Sequence, residues 1–106
     1  MFYLKSNKND FVAMLEISDG KYVVKKGSTV SAKVSDHFKS CKTVRERRKN
    51  AGLSENNRIL KEDMVFTSAS VAGEFVCGSS CNGPSSWKTE NGLTLKEVLE
   101  KQNENS

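Results

Sequence analysis

A two-residue hydrophobic period and a helical one alternate along this chain. Phe2-Tyr3-Leu4 reads as a short strand, and Phe11 to Ile17 (FVAMLEI) and Lys21 to Lys25 (KYVVK) as two more. Between the longer two stands Ser18-Asp19-Gly20. Asp-Gly between β-prone runs predicts a hairpin, because a type I′ turn needs positive φ at both central positions. Gly27-Ser28 closes the second arm. From Ser35 the period lengthens: Ser35 or Asp36 is placed to cap a helix on which Phe38, Cys41 and Val44 share a face. That helix is expected to stop near Ala51, with Gly52 as its cap and Leu53 folding back. Its outer face then carries Lys39, Lys42, Arg45 and Lys49.

The second half repeats the alternation. Arg58-Ile59-Leu60 and Asp63 to Thr67 read as short strands. Ser68 is placed to cap a helix from Ala69 to Cys77, with Ala72, Phe75 and Val76 inward and Gly78 ending it. Ser79 to Ser86 holds Asn82-Gly83-Pro84 and reads as an irregular loop. Trp87-Lys88 is extended, Asn91-Gly92 turns, and Leu93 to Lys101 is a final helix with Leu95, Val98 and Leu99 inward. Strands, helix, strands, helices: this order predicts an α+β domain with a mainly antiparallel sheet, an N-terminal hairpin and about three helices. Residues 1–101 form it, and 102–106 are a frayed tail.

Composition narrows the class. A chain of 106 residues buries roughly 60–68% of its unfolded surface without metals or disulfides. Its 36% hydrophobic and 28% charged residues belong to a globular protein, not to a disordered or membrane-embedded one. MFYLKSNKND lacks a signal-peptide layout and no apolar run spans a bilayer, so the cytoplasm is the expected compartment.

Charge is unevenly spread. Residues 1–49 hold twelve Lys and Arg against five Asp and Glu, and residues 50–106 five against eight, for a net +4. Lys39, Lys42, Arg45, Arg47, Arg48 and Lys49 are concentrated in eleven residues, either as a solvated helix face or as a patch for an anionic partner. Lys42, Arg45, Arg48 and Lys49 are its candidate phosphate contacts.

Three cysteines, an odd count, argue against a closed disulfide framework. With the one histidine they give His37-x3-Cys41 and Cys77-x3-Cys81, a spacing that zinc tolerates. The apolar stripes around Cys41 and Cys77 favour small buried thiols instead, and no metal or other cofactor is expected. No G-x-S-x-G elbow or phosphate-binding Gly-rich loop is present, and His37 has no nearby carboxylate except Asp36, so catalysis is not expected.

The densest turn chemistry lies in Phe66 to Leu95, around the only Trp. Ser68 and Ser70 sit at a helix start, either as plain caps or as part of a phosphate site. Asn82 either reads a base edge or takes the left-handed turn that Asn-Gly allows. Trp87, followed by Lys88, either stacks on a base or anchors the core.

Several short motifs, in order, carry a resemblance. They are Tyr22-Val23-Val24-Lys25-Lys26-Gly27-Ser28, Val44-Arg45, Gly52-Leu53, Phe66-Thr67-Ser68-Ala69-Ser70, Ala72, Gly78, Asn82-Gly83, Trp87-Lys88 and Gly92 with Leu93 and Leu95. Over residues 2 to 99 the chain resembles domain-of-unknown-function family 4357, a module found at the C-terminal end of GIY-YIG nuclease and restriction–modification-type proteins. Phe66 to Leu95 is also similar to the RAMA domain, the restriction enzyme and adenine methylase associated module. Three positions depart from the pattern: Ala69 stands where Pro is frequent, Gly73 where a second Ala is usual, and Pro84 where an aromatic usually follows Asn-Gly. The resemblance implies a small α+β fold tied to DNA processing, without an established activity. Two functions follow as expectations. One is a non-catalytic module that binds double-stranded DNA or senses its methylation beside a nuclease or methyltransferase. The other is an interaction or structural domain that docks a partner through the Trp87 loop.

Overall fold

A computed structural model of the protein describes residues 1–104. Three strands, β1 (Phe2–Ser6), β2 (Phe11–Ser18) and β3 (Lys21–Val24), run antiparallel in sequence order, and β4 (Met64–Phe66) joins the far side of β3. The Asp19-Gly20 turn forms as its sequence dictates, with φ of 52° and 76° at the two residues. Register places Phe2, Leu4, Phe11, Ala13, Leu15, Tyr22, Val24 and Phe66 on one face, and alternation sends Tyr3, Lys5, Val12, Met14, Val23 and Val65 to the other.

Helices cover only the first face. Alpha helix α1 (Cys41–Asn50) lies beside β4; α2 (Ala69–Cys77), α3 (Gly83–Ser86) and α4 (Leu95–Glu104) follow. Ala72, Phe75 and Val76 of α2 are buried against Leu15, Val24 and Phe66 in one continuous core. The Phe66 and Phe75 rings sit 5.2 Å apart, tilted. Among the described residues no helix is long and apolar enough to cross a membrane.

Several local expectations are corrected. The helix expected from Ser35 starts at Cys41, because the Ser35 hydroxyl accepts the His37 N–H in a local turn instead of capping a helix. Arg58 to Leu60 does not form a regular strand. Its backbone still exchanges bonds with residues 27–30, through Gly27 N–H to Leu60 O, Leu60 N–H to Ser28 O and Val30 N–H to Arg58 O. The segment after Cys81 is not irregular: Pro84, whose fixed φ suits a first helical turn, stands at the start of α3. The last helix starts at Leu95, because Thr94 accepts the Glu97 N–H and bonds its carboxylate in a capping pair. Leu95 is buried, but Leu99 is exposed. Helix α4 runs through Gln102 to Glu104 where a frayed end was expected, and Asn105 and Ser106 lie outside the described residues.

Candidate nucleic-acid interface

On α1 the 3.6-residue period sorts the cations into two sets. Val44 and Arg48 face inward, while Lys42, Arg45 and Lys49 are exposed on the outer side, with Lys39 exposed just ahead of the helix. Arg45 is already engaged, donating to the Val34 carbonyl at 3.1 Å and pairing with the Asp36 carboxylate. That pairing holds Asp36 below the ordinary carboxylate value. Lys39, Lys42 and Lys49 form no ion pair among the described residues. Arg47 is drawn off the face: its guanidinium lies 4.3 Å from the Phe66 ring centroid and donates to Val65 O at the edge of β4.

Arg48 does not belong to a phosphate-binding face. It is 7% exposed and its guanidinium donates to Phe75 O, Val76 O, Ser31 O and Ser31 Oγ at 2.7 to 3.1 Å. Two of those carbonyls belong to the last turn of α2, which a helix leaves without intrahelical partners. The other two last-turn carbonyls are also met, Glu74 O by the Gly78 N–H and Cys77 O by Ser31 Oγ. A cation at this end is also favourable to the helix dipole, whose negative end lies there. Burial pulls the Arg48 pKa down to about 10, so it stays charged at neutral pH. The sequence signal was its position one turn after Val44 on the inward stripe.

The Phe66–Leu95 candidates are mostly structural. Ser68 caps α2, its Oγ accepting the Val71 N–H at 3.1 Å. Ser70 Oγ accepts the Gly83 N–H at 3.0 Å. Asn82 has a φ of −90°, so the left-handed Asn-Gly turn does not form; its side chain is exposed. A Cβ at Gly83 would run into the Ala69 and Ser70 backbone, which explains the glycine. Trp87 is 0% exposed and its indole N–H donates to Ala69 O at 3.0 Å. It anchors the core and is withdrawn from both base stacking and partner contact. Lys88 is exposed, but its backbone pairs with Tyr3 as a strand-like stub beyond β1. Four strand spacings of about 4.8 Å put that stub roughly 20 Å from the β4 edge where α1 lies. The predicted residues therefore do not converge.

One feature was not picked out from sequence, and a second was seen there only as a spacing. A groove of about 480 Å³ crosses the uncovered sheet face, lined by Tyr3, Lys5, Val12, Met14, Lys88 and Glu90. Outward alternation of Tyr3 and Lys5, and of Val12 and Met14, was its available signal. The second is the placement of the cysteines. Cys41 is separate from the others near Asp36, whereas Cys81 Sγ lies against Gly73, one turn ahead of Cys77 on α2. All three are free thiols. Among the described residues no group of three or more His, Cys, Asp and Glu side chains is arranged to hold a metal ion.

Comparison with known families finds that a model described as a domain of unknown function (DUF4357) matches residues 2–99. No curated protein and no solved structure matches the chain.

Proposed function

The chain belongs to the domain-of-unknown-function family DUF4357, and we propose that it is a non-catalytic accessory module that holds double-stranded DNA by its phosphates. The observation that carries this reading is the outer side of α1, where Lys39, Lys42 and Lys49 are exposed without ion-pair partners among the described residues. Arg45 stands beside them, partly neutralised by Asp36. Phosphate contacts position a duplex without reading its sequence. With Trp87 buried, methylated and unmethylated duplexes bind alike in this reading. The resemblance to nuclease- and restriction–modification-associated modules supplies its setting, a cytoplasmic nuclease or methyltransferase to which the module adds affinity.

Titration of a labelled duplex with the full chain at several salt concentrations tests this. Three to four neutralised phosphates give a log–log slope of about 3, at about 0.9 per phosphate. Binding falls away in a K42E/K49E variant. No binding to the wild-type chain at low salt would overturn the reading. A second reading, partner docking, rests on the sheet-face groove with its apolar floor of Val12 and Met14, no longer on Trp87.

A further inference from the structure

Helix α2 ends at Cys77, and Gly78 caps it in the left-handed conformation at φ 70°. That cap turns the chain back on itself, and three residues later Cys81 returns to the flank of the helix it has just left. Its seat there is specific. A Cβ at Gly73 would collide with Cys81 Sγ, and the same Cβ would lie 3.5 Å from Trp87 Nε1. Glycine at 73 therefore makes room for this sulfur. Both thiols of the pair are half-buried, and neither helps to hold the core as a disulfide or metal ligand would.

We propose that Cys77 and Cys81 form a redox-active dithiol, with Cys81 the thiol that reacts with a hydroperoxide and Cys77 the thiol that resolves it into an intramolecular disulfide. The environment differentiates the two sulfurs. Hydrogen bonding from the Cys77 thiol, helped by Ser86 and opposed by burial, draws the Cys81 pKa down to about 7. The same pairing, together with burial, pushes Cys77 well above its ordinary value. The thiolate is the nucleophile in such chemistry, and of the two sulfurs Cys81 is the one that ionises more readily.

In the first step the Cys81 thiolate attacks the peroxide. An S–O bond forms, the O–O bond breaks, and the alkoxide leaves as an alcohol after taking a proton, which leaves a sulfenic acid on Cys81. That step removes the thiolate that raised the Cys77 pKa. Cys77 sulfur then attacks Cys81 sulfur: the S–S bond forms, the S–O bond breaks, and hydroxide departs as water with the Cys77 proton. The two sulfurs lose two electrons in all and the peroxide gains them. A thiol reductant returns the pair by exchange.

The test is to expose the reduced full chain to hydrogen peroxide and follow intact mass and peptide maps. The wild-type chain and C41S should lose the mass of two hydrogens, with the bond mapped to Cys77–Cys81. C77S should stop at a sulfenic acid on residue 81, trapped by a 1,3-dione probe. C81S should consume peroxide about tenfold more slowly or worse, since the activated thiolate is gone. G73A retains both cysteines but displaces Cys81 from its seat, and should slow disulfide formation. Oxidation first at Cys41, intermolecular dimers in place of the internal bond, or equal rates for C77S and C81S would overturn the assignment.

Discussion

Arg48 and Trp87 show at the residue scale how chemistry suited to a ligand is spent inside the fold. Each has the side chain expected at a nucleic-acid interface, and each is satisfied internally. Arg48 spreads its donors over carbonyls at the end of α2 and Ser31. Replacement by Met removes every one of those bonds and leaves buried acceptors unpaired. R48M is expected to lower unfolding free energy by about 2–4 kcal/mol, read from urea unfolding curves, and R48K to recover only part of the loss because it lacks the planar fork. Trp87, the only tryptophan, reports on its own burial. Its fluorescence is expected to be blue-shifted, insensitive to iodide and unchanged when duplex DNA is added. Quenching by DNA would return it to the interface.

At the element scale, strand ends are held by side chains as much as by ladders. Asp63, just ahead of β4, accepts the Lys26 N–H at 2.8 Å and pairs with Lys25 at 2.9 Å, which also reaches Glu16 at 3.1 Å. The Lys26 N–H first, and Lys25 next, hold the Asp63 carboxyl below 3.8. A depressed folded-state pKa stabilises the fold fully above the unfolded value and less as pH falls through the folded one. Acid unfolding profiles should therefore show D63N differing most from the wild type at neutral pH. The difference should shrink below pH 3.8. On β2, regular pairing with β3 gives way to hydroxyls: the Met14 N–H donates to Ser28 Oγ and the Val12 N–H to Thr29 Oγ1. This accounts for a serine that is 0% exposed in the core, a residue whose role periodicity does not reveal.

At the scale of the whole molecule, the sheet separates the basic helix α1 from Lys88, two of the sequence's candidates for one interface. Helix α1 flanks β4, whereas Lys88 extends the sheet beyond β1. A duplex held on α1 thus has little reason to touch Lys88. In the duplex titration K88E is expected to leave affinity unchanged within about twofold, while K42E/K49E removes binding, consistent with the locality of phosphate contacts. The uncovered sheet face is a separate surface with its own groove. Its apolar residues, Val12 and Val65 at 45% and 50% exposure, are the ones a docking partner would cover.

Local chemistry in the sequence was enough to determine the hairpin at Asp19-Gly20, α2 between its Ser68 cap and Gly78, the end of α1 at Ala51 and the α+β class, because each rests on contacts within a few residues. Starts of α1 and α4 were less legible: Ser35 spends its hydroxyl on the His37 N–H instead of a cap, and Thr94, inside the expected helix, is the residue that caps it. Only the tertiary structure decided which exposed-looking groups are free. Arg48 meets carbonyls 27 and 28 residues away, and Trp87 meets one 18 residues away. The partners that bury a side chain or leave it to a ligand are set by how distant segments pack, and no local period in the sequence encodes that distance.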